Sequence, residues 1–204
     1  MKLYYFPGAC SLAPHIALRE ADLPFSLVRY DPKTHQVEGV GPIEQVNEKG
    51  YVPVLELDDG ERLTEVSAVL QYIADRKPEL GLAPRAGTFE RYRLMEWLNF
   101  IATEVHKPYW WLFHDGADVE KAHAKDKLEH SFTYLQRKLD GKPHLLGDTF
   151  TVADAYLLVI LNWIKPAGLD IEPFPGLKAY REAGRKRPAV TAAMEAEGLL
   201  RRRS

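Results

Sequence analysis

The chain has one cysteine, Cys10, and its place in the sequence predicts sulfur chemistry. The apolar run Leu3–Phe6 is typical of a strand, Pro7 and Gly8 interrupt it, and apolar residues recur at helical spacing from Leu12 onward. Cys10 is therefore expected near the start of a helix, where backbone N–H groups and the helix dipole stabilise a thiolate. The alternative is that Cys10 is a small buried hydrophobic residue, which is the commonest role of a free cysteine.

Other sulfur and metal chemistries lack the residues that they need. A dithiol redox motif places its second cysteine three residues after the first, where this chain has Ala13. The seven histidines include no His-Glu-x-x-His pattern and no cysteine stands at metal-ligand spacing to them, so we expect no metal site. A single cysteine also forms no internal disulfide, which favours the reducing cytoplasm as the setting.

Composition and charge exclude several classes of protein. The 204 residues are 46% hydrophobic, and 27 basic against 29 acidic residues give a formal net charge of -2. This balance attracts neither nucleic acid nor an anionic membrane surface. The best candidate for a membrane span, residues 152–164, is interrupted by Asp154 and Asn162. We therefore expect a globular protein whose partners include neither nucleic acid nor a membrane.

The first part of the chain predicts an α/β domain over residues 1–77. After the first strand and helix, the patterns predict a second strand over Phe25–Tyr30, a hairpin of Val52–Leu57 and Glu61–Thr64, and a helix over Glu65–Asp75. The first two strands need a right-handed crossover, so these elements pack as a four-stranded mixed sheet with helices. This is the thioredoxin-like arrangement.

The remainder of the chain predicts an all-helical domain over residues 88–204, after a Pro- and Gly-rich linker over residues 78–87. Apolar residues form one long stripe at Tyr92, Met95, Leu98, Ile101 or Ala102, Val105, Tyr109 and Leu112, and a second at Leu128, Phe132, Leu135 and Leu139. We expect Pro108 to kink the first of these helices. Thr151–Asp154 predicts a capping box, and two shorter helices are expected over Gly176–Arg185 and Ala189–Glu197.

Six segments resemble, in register along the whole chain, the cytosolic glutathione transferases, and within them the bacterial beta class. They are Lys2–Tyr5 with Pro7–Leu12, Gly50–Leu55, Leu63–Glu65, Glu96–Phe100, Glu104–Lys107 and Phe150–Tyr156. The resemblance implies that glutathione is the co-substrate and that its thiolate is conjugated to small hydrophobic electrophiles. It also implies a homodimer, because members of the family complete their glutathione sites across the subunit interface.

The resemblance assigns roles to residues of the first domain. It implies that Cys10 hydrogen-bonds the glutathione thiolate or forms a mixed disulfide with it, and that a cis Val52–Pro53 bond lets Val52 pair with the tripeptide backbone. Glu65 would hold the γ-glutamyl ammonium, and the N–H groups of Val66 and Ser67 the adjacent carboxylate. The family usually has serine at position 66 and often lysine at position 35, so Val66 and His35 predict weaker binding of glutathione.

In the helical domain, the resemblance implies that His106 borders the thiol site as a second catalytic residue. Asn99, Thr103 and Glu104 would face glutathione, some of them from the partner subunit, and helical spacing brings Asn99, Thr103, His106 and Lys107 toward one broad face. Aromatic residues over 109–113 are expected to line an apolar pocket for the electrophile. Without the resemblance, polar residues on a helix indicate a solvated face, and the proline at position 53 indicates an ordinary trans bond.

Two other functions remain open at this stage. The first keeps the fold and makes Cys10 a covalent thiol carrier in a glutathione-dependent thiol transferase or reductase. The second is a non-catalytic module that binds a hydrophobic ligand or a protein. Activity that survives Cys10→Ala would favour conjugation over the covalent alternative, whereas failure to bind glutathione would favour the binding module.

Overall fold

The computed structural model describes residues 1–200, and these form two compact units. The first unit comprises Met1–Ala83 together with residues 187–200, and the second comprises Pro84–Lys186. The sequence predicted a division into residues 1–77, a linker over 78–87 and a helical domain over 88–204. The structure differs most at the C-terminal end, where the last helix belongs to the first unit. No helix among the described residues combines the length and the apolar character that a membrane crossing requires.

The first unit is built on one mixed sheet. Its strands are β1 (Lys2–Tyr5), β2 (Ser26–Asp31), β3 (Gln36–Val37), β4 (Gly41–Pro42), β5 (Val54–Glu56) and β6 (Arg62–Thr64). They lie in the order β4-β3-β2-β1-β5-β6, with β1 parallel to β2 and every other neighbouring pair antiparallel. The predicted thioredoxin-like sheet of four strands is confirmed in β1, β2, β5 and β6. Two short strands, β3 and β4, extend it between the predicted second strand and the predicted hairpin, where no strand was predicted.

Two helices of the first unit follow the sequence pattern closely. They are α1 (Leu12–Glu20) and α2 (Val66–Asp75), and Glu65 is the residue that precedes α2. The apolar residues of α2 at three- and four-residue spacing, Val66, Val69, Leu70 and Ile73, are buried, as the periodicity predicted. The helices α1 and α2 therefore place two polar groups, the Cys10 thiol and the Glu65 carboxylate, at their N-terminal ends.

The second unit is helical, which confirms the predicted all-α architecture for this part of the chain. Its helices are α3 (Phe89–Phe100), α4 (Tyr109–Phe113), α5 (Asp118–Leu139), α6 (Val152–Leu161) and α7 (Pro175–Arg185), and a π-helical segment, Ile101–His106, joins α3 to α4. The α-helix thus ends before the predicted kink at Pro108. No local pattern predicted the π-helical segment, in which i→i+5 hydrogen bonds widen the helical turn.

The predicted apolar stripe on α3 is wrong for two of its members. Tyr92 and Met95 are exposed. The buried residues of α3 and the π-helical segment are Arg91, Leu94, Leu98, Ile101 and Val105. Apolar residues occupy both faces of α3, so periodicity alone selected the wrong starting residue. The stripe predicted on α5 is confirmed, because Leu128, Phe132, Leu135 and Leu139 are all buried.

The capping residue of α6 does more than the sequence predicted. Asp154 is fully buried, and its Oδ2 accepts from the Thr151 N–H at 2.8 Å, which confirms the predicted cap. Its Oδ1 accepts from the Leu145 N–H and from the Tyr180 hydroxyl, both at 2.8 Å. One carboxylate therefore joins the start of α6 to a preceding loop and to α7.

The last helix, α8 (Pro188–Ala196), packs in the first unit against α1. Arg187, which precedes α8, pairs with the Glu20 carboxylate at the end of α1 through two hydrogen bonds of 2.8 and 3.1 Å. Long-range pairing of this kind leaves no local signal in the sequence, which is why the helix was expected in the other domain.

Candidate functional site

Cys10 lies in a tight turn between β1 and α1. Hydrogen bonds among the residues of the turn itself stabilise it. The Ser11 hydroxyl accepts from the Phe6 N–H at 3.1 Å and donates to the Phe6 carbonyl at 3.2 Å. The Ala9 N–H also donates to the Phe6 carbonyl, at 3.0 Å. Gly8 has φ +74°, in the left-handed region that favours glycine. The sequence predicted the strand, the turn and the helix, and the structure confirms all three.

The expectation of a Cys10 thiolate is corrected by the structure. Burial raises the pKa of the Cys10 thiol to about 12 and outweighs the opposing effect of the backbone N–H groups of Cys10 and Ser11, while the negative charge of Glu65 raises it further. The sulfur donates to the Val52 carbonyl over 3.7 Å. Near neutral pH, Cys10 therefore carries a proton and acts as a hydrogen-bond donor.

Val52 provides the backbone against which the Cys10 sulfur lies. The Val52–Pro53 peptide bond is cis, as the resemblance implied. The Val52 side chain belongs to a buried apolar cluster with Tyr4, Tyr30 and Val54, among others, so the core of the unit fixes this stretch of backbone. A backbone segment just before a strand is suited to pair with an extended peptide.

Glu65 has an unusual backbone conformation, and only one oxygen of its carboxylate accepts hydrogen bonds. Its φ of 67° is rare for a residue with a side chain, and such positions cluster at functional sites. Lys49 Nζ at 2.6 Å and the Tyr51 hydroxyl at 2.8 Å both donate to Oε1. Within residues 1–200, Oε2 accepts no hydrogen bond. Lys49 first, and then Tyr51, hold the pKa of Glu65 below its ordinary value.

Lys49 and Tyr51 were missed by the sequence analysis. Each precedes Glu65 by more than ten residues in an irregular segment, so neither helical nor strand spacing connects them to it. The Lys49 ammonium also donates to the Thr64 hydroxyl at 2.9 Å. The one available signal was that Tyr51 stands next to Val52 within Gly50–Leu55, a segment that resembles the family, and no such signal marked Lys49.

The two departures from the family pattern lie in different surroundings. Val66 is the first residue of α2 and is buried, and the first-turn N–H groups of a helix have no intrahelical acceptor. His35 lies in the turn between β2 and β3 with φ 57° and an exposed side chain. In the described part of the chain, the His35 imidazole makes no hydrogen bond, so none joins it to Cys10, Val52 or Glu65.

In the second unit, His106 ends the π-helical segment and packs among aromatic rings. Its Nδ1 lies 2.6 Å from the Tyr156 hydroxyl, and its ring meets that of Trp163 edge-on at 4.9 Å. Burial, and to a smaller extent the charge of Lys107, lower the pKa of His106 to about 4. The imidazole is therefore neutral near neutral pH.

The other candidates of the second unit do not share the surroundings of His106. Asn99 and Thr103 are exposed, and the Thr103 hydroxyl donates to the Asn99 carbonyl at 3.1 Å. Glu104 pairs with Lys127 at 3.1 Å, and this lysine is the main cause of the lowered pKa of Glu104. Helical spacing predicted one broad face. The structure instead leaves Asn99, Thr103 and Lys107 exposed and His106 half-buried, because the wide π-helical turn changes which residues align.

Aromatic side chains gather on α4, as the sequence suggested. Tyr109 is fully buried and stacks on Phe113 with 5.7 Å between the ring centroids. Trp110, Trp111 and Phe113 are exposed, which leaves an apolar surface on this short helix. Among residues 1–200, no three His, Cys, Asp or Glu side chains are grouped so as to hold a metal ion.

Family models match both halves of the chain. Residues 3–81 match the glutathione S-transferase N-terminal domain, and residues 118–183 match the glutathione S-transferase C-terminal domain. The glutathione S-transferase GstA of Escherichia coli O157:H7 is 42% identical over 200 residues, which cover 98% of this chain and 100% of that protein.

Solved structures agree with the sequence comparisons. A sphingomonad glutathione S-transferase complexed with glutathione has a TM-score of 0.94 and 45% identity, over 98% of this chain and 100% of that one. A bacterial beta-class glutathione S-transferase of Sphingomonas chungbukensis has a TM-score of 0.94 and 47% identity, with the same coverage. With both family models and a relative matched along its whole length, the chain belongs to the glutathione S-transferase family.

Proposed function

We propose that the protein is a glutathione transferase that joins the thiolate of glutathione to small hydrophobic electrophiles. Beside membership of the family, the observation that carries this proposal is the position of the Cys10 sulfur, 3.7 Å from the Val52 carbonyl oxygen. A tripeptide that pairs its backbone with Val52 would bring its own sulfur close to that of Cys10. Glutathione is such a peptide, with its thiol on the central residue.

Cys10 acts in this proposal as a donor to the glutathione sulfur. Its pKa of about 12, which is due chiefly to burial, keeps a proton on the sulfur near neutral pH. When an N–H of the bound tripeptide donates to the Val52 carbonyl, it replaces the Cys10 S–H there. The S–H of Cys10 then donates to the glutathione thiolate instead. Lowering the pKa of the bound thiol by ~2 units requires only ~2.7 kcal/mol of preferential stabilisation of its charged form. The thiolate then attacks the electrophile, and Cys10 forms no covalent bond.

The remaining contacts to glutathione are assigned by the chemistry of each group. The open Oε2 of Glu65 would accept from the γ-glutamyl ammonium, while the Val66 N–H at the start of α2 would hold the adjacent carboxylate. His35 is assigned to the glycine carboxylate. From the second unit we assign Asn99, Thr103 and Glu104 as further glutathione-binding residues, and neutral His106 as the second catalytic residue.

The electrophile would bind to the aromatic surface of α4. Trp110, Trp111 and Phe113 offer exposed apolar area, which a small aromatic electrophile can cover. This surface supports an electrophile that is hydrophobic, and detoxification of such compounds is the role we propose. The single cysteine supports a location in the reducing cytoplasm.

A homodimer is the proposed assembly. Phe89, Tyr92 and Met95 lie three residues apart on α3 and are exposed, Phe89 to 66%. Apolar residues that share one exposed helix face are typical of an interaction surface, and a second copy is the occupant that the family suggests. Sedimentation at micromolar concentration would give twice the chain mass, and Tyr92→Glu would shift it toward that of a single chain.

Kinetics of Cys10→Ala test the proposed reaction. With glutathione and chlorodinitrobenzene as substrates, we expect kcat/KM to fall about 10- to 100-fold, because loss of a hydrogen bond to a charged group costs roughly 1.5–3 kcal/mol. Abolition of all activity, together with a glutathione adduct on wild-type Cys10 seen by mass spectrometry, would instead support the covalent thiol transferase. Calorimetric binding of glutathione without turnover of any electrophile would support the non-catalytic module.

A further inference from the structure

The contact between His106 and Tyr156 bears on which nitrogen of the His106 ring carries its proton. His106 Nδ1 lies 2.6 Å from the hydroxyl oxygen of Tyr156, a residue of α6 in the same unit. A neutral imidazole has one N–H and one lone pair, so the partner of Nδ1 fixes the role of Nε2. Either the Tyr156 hydroxyl donates to Nδ1, or Nδ1–H donates to the phenol oxygen.

The chemistry of the two groups favours donation by Tyr156. A phenol is a stronger acid than the N–H of a neutral imidazole. An imidazole nitrogen binds a proton with an ordinary pKa of about 6.5, whereas a neutral phenol oxygen is scarcely basic. The separation of 2.6 Å also lies below the range of roughly 2.7–3.2 Å that is usual for an N–H donor to oxygen. Nδ1 of His106 therefore accepts, and the ring proton lies on Nε2.

Burial keeps the His106 ring neutral, so the hydrogen bond selects between two tautomers of an uncharged imidazole. Burial lowers the pKa of His106 to about 4, and the charge of Lys107 lowers it further. From α5, the charged Lys127 pairs with Glu104 at 3.1 Å. The Tyr156 side chain is itself buried. With Nδ1 accepting, the neutral ring has one proton left to offer, on Nε2.

Aromatic rings fix the plane of the imidazole. The Tyr156 ring meets it edge-on with 5.8 Å between the ring centroids, and Trp163 does so at 4.9 Å. Because Nδ1 is bound to Tyr156, Nε2 lies on the other side of the ring from that hydrogen bond. His106 keeps part of its surface exposed, so a ligand can reach the ring.

The backbone that carries His106 is held from α5. In an α-helix the Glu104 carbonyl would accept from the N–H of residue 108, but Pro108 has none. The buried Ser131 hydroxyl donates to this carbonyl instead, at 3.0 Å. A tertiary contact thus stabilises the wide π-helical turn, and such turns are frequent at functional sites.

We propose that Tyr156 is a positioning residue, which fixes the Nε2–H tautomer of His106 and so makes His106 a hydrogen-bond donor to the glutathione sulfur and not a base. The role toward glutathione rests on the proposed function, whereas the tautomer does not. The glutathione thiol then gives its proton to water. Its thiolate accepts hydrogen bonds from Cys10 and His106, and neither residue takes up a proton.

Long-range proton–nitrogen correlation spectra of the histidine rings test the tautomer without any substrate. In the wild type near neutral pH, we expect Nδ1 of His106 to resonate as a non-protonated nitrogen and Nε2 as a protonated one. The spectrum of His106→Gln shows which of the seven histidine signals belongs to this residue. A proton found on Nδ1, alone or in exchange with Nε2, would overturn the proposal.

Tyr156→Phe removes the hydroxyl and keeps the ring, so both tautomers of His106 should then coexist. The donor to the thiolate is weakened, and we expect the ascending limb of kcat against pH to move upward by about 0.5–1 pH unit. With glutathione and chlorodinitrobenzene, kcat should fall about three- to tenfold near neutral pH and recover at alkaline pH, where the thiolate forms without this help. The KM for glutathione should change less than twofold.

Tyr180→Phe is the matched control. It removes another buried tyrosine hydroxyl of the same unit, which donates to Asp154 in the first turn of α6 at 2.8 Å. Both variants should lose thermal stability, but Tyr180→Phe should keep the wild-type tautomer of His106 and the wild-type pH profile of kcat. An equal shift of the profile in the two variants, or none in Tyr156→Phe, would overturn the proposal.

The wild-type spectra decide the tautomer even if Tyr156→Phe fails to fold. Failure of the proposed conjugation reaction is a separate outcome, since it would appear as absent turnover in the wild type and would leave the nitrogen signals of His106 unchanged.

Discussion

Glu56 and Glu65 are two carboxylates of the first unit that differ in how fully they are satisfied. Glu56, in β5, uses both oxygens: Oε1 accepts from Lys2 Nζ at 2.8 Å, and Oε2 accepts from the Tyr4 hydroxyl and Arg62 Nε, both at 2.9 Å. Glu65 uses only Oε1, for Lys49 and Tyr51, and its backbone has a positive φ. Glu56 is buried, whereas the Glu65 side chain is 57% exposed.

This difference separates a carboxylate that stabilises the fold from one that is kept available. Glu56 joins β1, β5 and β6 through regular strands, so each of its partners is set by strand register. Glu65 is held at one oxygen while the other is open, and a strained backbone at an exposed position contributes nothing to stability. Lys49 and Tyr51 keep the carboxylate oriented, so less ordering remains to be done when an ammonium group binds.

The largest effect is expected when the available carboxylate is neutralised. Glu65→Gln keeps the size of the side chain but removes the charge that attracts the γ-glutamyl ammonium. We expect the Kd for glutathione to rise about 30- to 100-fold, because a charge-assisted hydrogen bond contributes roughly 1.5–3 kcal/mol. Isothermal titration measures this directly. The free energy of unfolding should change by less than about 0.5 kcal/mol, and a loss of stability as large as that of a Glu56 variant would contradict the comparison.

Neutralising Glu56, whose two oxygens both accept hydrogen bonds, should lower the stability and leave glutathione binding unchanged, which is the reverse of Glu65→Gln. In Glu56→Gln the amide cannot accept from three donors, so the variant is expected to lose about 2 kcal/mol in urea unfolding, an amount reduced by the partial exposure of Lys2 and Arg62. The Kd for glutathione of the folded variant should stay within about twofold of the wild type. A selective loss of glutathione binding would show that the two carboxylates are not separate in function.

Acid should remove the contribution of Glu56. The hydrogen bond from Lys2, and then those from Tyr4 and Arg62, lower the pKa of Glu56 from 4.5 to about 2. A carboxyl with a depressed pKa in the folded state stabilises the protein fully above its unfolded pKa, and this stability is lost as the pH falls from 4.5 toward 2. The stability difference between wild type and Glu56→Gln should therefore shrink over that range. A stability difference between wild type and Glu56→Gln that stays constant from neutral pH down to about 2 would contradict this.

The smallest effect is expected from the groups that orient Glu65. Tyr51→Phe removes one donor from Oε1 and leaves Lys49 in place. We expect the KM for glutathione to rise about two- to fivefold with kcat unchanged, because a neutral hydrogen bond at an exposed site contributes roughly 0.5–1 kcal/mol. Tyr4→Phe is the matched control, since it removes the same group from Glu56. It should lower the stability and leave the KM unaffected.

Much of the fold followed from the local pattern of residues. The strand that ends before Cys10, the hairpin around Gly60, the amphipathic helix α2 and the capping aspartate of α6 were all predicted, because hydrophobic periodicity, turn residues and caps act over a few positions. The resemblance along the chain added the family and the cis Val52–Pro53 bond. The Glu56–Arg62 pair could also have been predicted from the sequence, since the two residues face each other across a hairpin turn.

The sequence by itself determined most of the helices and the four longer strands, that one thiol stands at a strand-to-helix turn, and which family the chain belongs to. Only the tertiary structure decided the state of that thiol, because burial by residues distant in sequence outweighs the local helix N-terminus and raises the pKa of Cys10 to about 12. It also decided that Lys49 orients Glu65 and that Glu197 meets His15, 182 positions earlier in the chain. Periodicity describes neighbours along one element, whereas desolvation and hydrogen bonding depend on every group that folding brings together.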